Sequence, residues 1–241
     1  MPGFGGVNLA TLPSRERGSV AATQVDIAQR AAYWPVPIVR AVTAAGLALA
    51  ITFTADHSAR FGLLAFGIFA VVSGTVITIA AVRRLATSPV RSFVVTQGII
   101  TVVFGLVCGV ALGGGVRYLF LIVTGFAAIT GLLELYSGVR SRRRFVASAD
   151  WIAVGVLTTA LAVIFLLVPP EYTQVFHGPD NVMRVLDASV VAVGVLGAYA
   201  AIIAVYLVIA GLSAKWGTQV APDAIPSHAE TISSRESENK A

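Results

Sequence analysis

Six apolar runs, each close to the length of a bilayer crossing, constrain this chain more than any other feature: about 36–54, 61–82, 93–113, 116–139, 151–169 and 188–213. A helix needs roughly 20 apolar residues to span the hydrocarbon. No water is available there to satisfy the backbone, so each segment must close its hydrogen bonds internally, and the runs predict helices. They lack the alternating polarity that marks a membrane β-barrel. Only 12% of residues are charged and 56% are hydrophobic, against about 25% charged in a soluble domain. One water-soluble core cannot hide so much apolar surface, so the lipid bilayer is the expected solvent and first partner.

The runs recur at a fixed spacing. Segments beginning Arg40-Ala41-Val42, Gln97-Gly98-Ile99 and Val154-Gly155-Val156 start 57 residues apart. Each is followed by a second apolar run, and Gly74, Gly131 and Tyr206 stand nine residues before Arg83, Arg140 and Lys215. A period this long points to duplicated supersecondary units. The expected fold is an all-α integral membrane protein with six transmembrane helices, arranged as three tandem antiparallel hairpin repeats. The hairpins cover 36–82, 93–139 and 151–213 within a membrane domain over 36–215. The third copy carries 18 surplus residues, placed in an outer loop at 169–187. Residues 1–35 form an N-terminal arm, whose stretch 19–33, with Ser19 as N-cap, could make a short interfacial helix. Residues 216–241 form a polar tail with too little apolar surface to order itself.

Charge fixes the orientation. Of the 17 Lys and Arg, only Arg60, Arg117 and Arg184 fall in the 1–2, 3–4 and 5–6 loops. The others flank the opposite ends of the helices, so the positive-inside rule puts both termini in the cytoplasm of an inner (plasma) membrane protein. Trp34, Trp151 and Trp216 all fall at the cytoplasmic ends, where an indole suits the headgroup layer as an interfacial anchor. Arg140, Arg142, Arg143 and Arg144 form a basic cluster that is a candidate contact for anionic lipid. The pI of 9.8 is thereby accounted for without nucleic acid.

Few residues offer chemistry. Glu134 is the only acidic residue well inside an apolar run. It lies six residues before Arg140, about 9 Å deeper at 1.5 Å per residue. Gln97 and Arg40, which occupy matching positions in successive copies, fall at a similar level. These three form a candidate intramembrane polar cluster, with a Glu134–Arg40 ion pair tying the first hairpin to the second. Gly105, Gly109 and Gly113 share one helix face and predict close helix packing. Gly113-Gly114-Gly115 reads as a turn, and Cys108, the single cysteine, as a small buried hydrophobe. His57 and His177 lie in outer loops, where His177, Asp180 and Glu171 make only a loose cluster. The sequence contains no phosphate-binding loop, no nucleophile elbow and no zinc motif. No catalytic residue, metal or cofactor is expected.

The tandem hairpins, the glycines in both arms and the exit Gly131-Leu132-Leu133-Glu134-Leu135-Tyr136-Ser137-Gly138-Val139-Arg140 resemble the HdeD-like acid-resistance membrane proteins. The resemblance covers roughly 36–215. It implies an inner-membrane location and, by extension from the family's namesake, a part in acid or envelope stress tolerance. It carries over no catalytic residues. The long arm, the outer insertion and the Ser-rich tail depart from the compact family pattern. The expected function is therefore non-enzymatic: stress tolerance, or a scaffold that associates with other envelope proteins or with itself. A small-solute channel or transporter would need a water-accessible cavity reaching Gln97, Thr101, Thr124 or Thr130. A membrane-embedded lipid-modifying enzyme would have to use the Arg40, Gln97 and Glu134 level.

Overall fold

The computed structural model describes residues 27, 30, 31, 33–84, 91–142, 148–177 and 183–217. Six helices follow one another: α1 (Pro35–Phe53), α2 (Ala59–Arg84), α3 (Arg91–Val110), α4 (Gly115–Arg140), α5 (Ser148–Leu167) and α6 (Ala188–Trp216). All six are long and apolar enough to cross a membrane, and the chain is a multi-pass membrane protein. Most of the arm, residues 143–147 and the tail lie outside the described residues; of the segment 19–33, Ile27, Arg30, Ala31 and Tyr33 are described and helical.

Local chemistry sets the boundaries. Pro35 opens α1, where its missing N–H costs nothing and its fixed φ suits a first turn. The turn between α3 and α4 spans Ala111–Gly114, and Gly115 leaves it at φ +70°, a left-handed conformation that favours glycine. The Asp187 carboxylate caps α6, accepting from the Val190 N–H at 2.9 Å and the Ser189 hydroxyl at 2.6 Å. Gly217 ends the same helix at φ +69° and returns its N–H to the Ser213 carbonyl.

The 18-residue insertion, expected as a loop, folds into an antiparallel hairpin of β1 (Thr173–His177) and β2 (Met183–Asp187). Thr173 faces Asp187 and Val175 faces Val185. Its signal was present: Val175, Phe176 and Val185 favour strands, and Gly178-Pro179-Asp180-Asn181 between the strands is turn-rich.

The two helices of each expected hairpin, α1 with α2, α3 with α4 and α5 with α6, are not the ones packed most closely. The tight pairs are α2 with α3, α4 with α5, and α1 with α6, while α2, α4 and α6 also touch one another along the centre. Glycine explains the first two pairs. A Cβ at Gly105 would stand 2.8 Å from the Gly67 carbonyl oxygen, and one at Gly98 would stand 2.9 Å from that of Gly74. A Cβ at Gly155 would meet the Gly131 oxygen at 3.0 Å. Backbone therefore lies on backbone, and dispersion over that contact is the main attraction available where lipid is as apolar as the side chains. In the third pair, Ile51 fills the space over Gly197 and Ile38 that over Gly211.

The expected glycine stripe is corrected in two of its three positions. Gly105 packs against α2, but Gly109 and Gly113 have nothing within 4 Å of a Cβ position. The helix ends at Val110, so Gly113 belongs to the turn, and Gly109 opens on a groove between α2 and α3. The buried face runs instead through Val94, Gly98, Thr101, Gly105 and Cys108.

Candidate polar centre

Within the bundle, three helices each contribute one polar side chain to a common point. Arg40 comes from the second turn of α1, Gln97 from α3 and Glu134 from α4. The Arg40 Nη2 and the Gln97 Nε2 both donate to Glu134 Oε1. The Glu134 side chain is 3% exposed and that of Arg40 16%. An unpaired charge at the membrane centre costs about 2.5–3.5 kcal/mol on insertion scales. Pairing leaves the centre formally neutral, and the Gln97 amide supplies a further donor to the carboxylate.

A polar shell surrounds the pair. Its helices lend Ser73, Thr101, Thr130, Thr158 and Tyr199, which with the three central residues line an interior cavity of about 40 Å³. One water occupies roughly 10–15 Å³ on this measure, so the cavity has room for only a few. Most of the hydroxyl protons are spent locally. Thr101 donates to the Gln97 carbonyl, Thr130 to that of Phe126 and Thr158 to that of Val154, at 2.7–2.8 Å. The Tyr199 hydroxyl lies 2.8 Å from Thr158 Oγ1, and Thr43 Oγ1 bonds to Ser73 Oγ at 3.1 Å. Ser73 and Thr130 are 57 residues apart, as are Thr101 and Thr158. That spacing was the available signal for a shell largely missed in the sequence.

A second group sits nearer the termini. Trp151, expected in the headgroup layer, is instead buried at 6% exposure. Its indole N–H donates to the Tyr33 hydroxyl at 2.6 Å. Helix α5 begins at Ser148, and Trp151 falls on its buried face with Ser148, Val154, Gly155 and Thr158. Trp34 is half-buried with the Lys215 ammonium 5.0 Å from its ring centre, and Trp216 is exposed. The Tyr206 hydroxyl donates to Asp150 at 3.2 Å, joining α6 to α5.

The remaining candidates do not converge on this centre. Arg140 and Arg142 are exposed at the end of α4, and Arg143 and Arg144 lie outside the described residues. Thr124 faces a groove between α4 and α5 rather than the cavity. His57 bonds the Ala55 carbonyl at 3.2 Å; Asp180 and His228 lie outside the described residues. Glu171 pairs with Arg117 at 2.9 Å in an exposed position. Cys108 is fully buried. Among the described residues, no three His, Cys, Asp or Glu side chains are grouped to hold a metal ion.

No family model, curated protein or solved structure matches this chain. The likeness to the HdeD-like proteins therefore rests on the residues quoted for it above.

Proposed function

We propose that this chain is a non-catalytic scaffold of the plasma membrane, with both termini cytoplasmic, serving envelope or acid stress tolerance through association with other membrane proteins. One observation carries the reading. The polar side chains of the interior are mostly already partnered: Glu134 takes Arg40 and Gln97 from two other helices, and most of the hydroxyls around it bond to their own helices or to each other. Little hydrogen-bonding capacity is left to bind or move a solute, and about 40 Å³ of space accompanies it.

Three tandem copies of one hairpin are the finer part of this proposal. Gly74 against Gly98 recurs as Gly131 against Gly155, both members shifted by 57 residues. The packing of α3 on α2 and of α5 on α4 then follows from one contact used twice, while Tyr206 stands at the equivalent place in α6, where α1 packs through Ile38 and Ile51 instead. The charge asymmetry between loops supports the cytoplasmic termini.

A small-solute pathway is the second reading, favoured because Gln97, Thr101 and Thr130 line the same cavity. Single cysteines at Thr101 and Thr130, in a Cys108→Ser background, separate the two. The scaffold reading expects both to resist a water-soluble maleimide in sealed vesicles. It also expects cross-linking in native membranes to capture a reproducible partner. Rapid labelling at both positions would replace it with the pathway.

A further inference from the structure

Two grooves open on the lipid-facing side of the bundle, toward the end that bears the β-hairpin. The first, about 340 Å³, lies between α2 and α3, with Leu64, Ile68, Val72 and Gly109 among its walls. The second, about 610 Å³, lies between α4 and α5, over a floor of Phe120 and Phe165 whose rings are 5.1 Å apart. They are one feature built twice: Leu64 and Ile68 become Leu121 and Gly125 after 57 residues, and Gly109 becomes Leu166. Small residues leave the space in both: Gly67, Gly105 and Gly109 line the first groove and Gly125 the second.

An arginine heads each groove. Arg60 precedes Leu64 by one turn on the same stripe of α2, and Arg117 precedes Leu121 likewise on α4. They too are 57 residues apart, and both are exposed. Arg117 also lines its groove directly. Its partner Glu171 is 65% exposed; such surface pairs hold weakly and yield to a stronger anion. Each groove thus offers an apolar channel at hydrocarbon depth, under a cation at the level of the headgroups.

We propose that both grooves are phospholipid sites, each taking one acyl chain along its helix pair and the lipid phosphate against Arg60 or Arg117. Charge complementarity selects the occupant. A transmembrane helix laid in the groove would bring apolar side chains up to the arginine, whereas a phospholipid brings an anion to that depth. Guanidinium matches phosphate with two parallel hydrogen bonds.

Native mass spectrometry of the purified full chain, with phosphatidylglycerol added in detergent, tests this. Two lipids should stay bound. Arg60→Gln and Arg117→Gln should each weaken one of them roughly fivefold, the worth of one cation near a membrane surface, and the double variant should weaken both. Gly109→Phe, whose side chain enters open space, should displace the lipid of the first groove and leave the second. Inorganic phosphate should not compete at millimolar concentration. Retention of both lipids in the double arginine variant overturns the proposal. So does full competition by phosphate, or a Gly109→Phe variant that changes oligomeric mass while keeping both lipids.

Discussion

The Glu134 carboxylate holds the most consequential position in the chain. It accepts from two other helices at once, so removing its charge leaves Arg40 without its counter-ion inside the bundle. Glu134→Gln should cost about 3 kcal/mol, as breaking buried pairs does. The double variant Glu134→Gln/Arg40→Gln should recover part of that loss. Thermal unfolding in detergent measures both, and strictly additive losses would show that the two residues act separately. Asp187 makes a smaller contribution. The Ser189 hydroxyl and the Val190 N–H hold its carboxyl below the ordinary aspartate range. A depressed folded value means that the stabilisation is fully present above the unfolded value of about 3.9. It is lost as pH falls through the lower, folded value. Asp187→Ala should cost about 1 kcal/mol near neutrality, the usual worth of an N-cap, and the difference from the parent protein should shrink in acid. A pH series of melting temperatures in a stable detergent reads this directly.

Among the elements, glycine placement decides which helices meet. Gly98 and Gly155 let carbonyl oxygens of the partner helix come within about the reach of a methyl group. Gly98→Leu and Gly155→Leu should each lower the melting temperature markedly, because a side chain there must push backbone away. Gly109→Ala faces open space and should stay within about 0.5 kcal/mol of the parent, as uncontacted positions do. Equal losses at all three would remove the pairing described here. The spans themselves were legible because hydropathy is a local property, and the expected ends lie within a few residues of those observed. Their pairing was not. Short turns at 54–58 and 111–114 make sequence neighbours antiparallel, yet they do not make them the closest partners. The β-hairpin was not legible for a related reason: its two five-residue strands carry little local signal and are fixed by pairing with each other.

The whole molecule gathers its polar groups centrally and turns apolar side chains such as Leu121, Leu132, Leu166 and Val205 outward. In water such a surface would aggregate, whereas in lipid it is ordinary. The proposed orientation rests on the loop charges. A cysteine at His57 should react with an impermeant maleimide on intact cells, and one at Arg142 only after permeabilisation. The reverse pattern would invert the topology and place the two proposed lipid sites in the inner leaflet.

The sequence alone determined the solvent, the number of crossings and the level at which Arg40, Gln97 and Glu134 gather. Each depends on hydropathy or on counting along a helix of known rise. Only the tertiary structure decided that Trp151 turns inward to Tyr33, that α1 closes against α6, and that Gly105 packs while Gly109 does not. Those outcomes depend on how helices rotate about their axes and where they diverge. Such angles are set by contacts between distant residues, which no local pattern records.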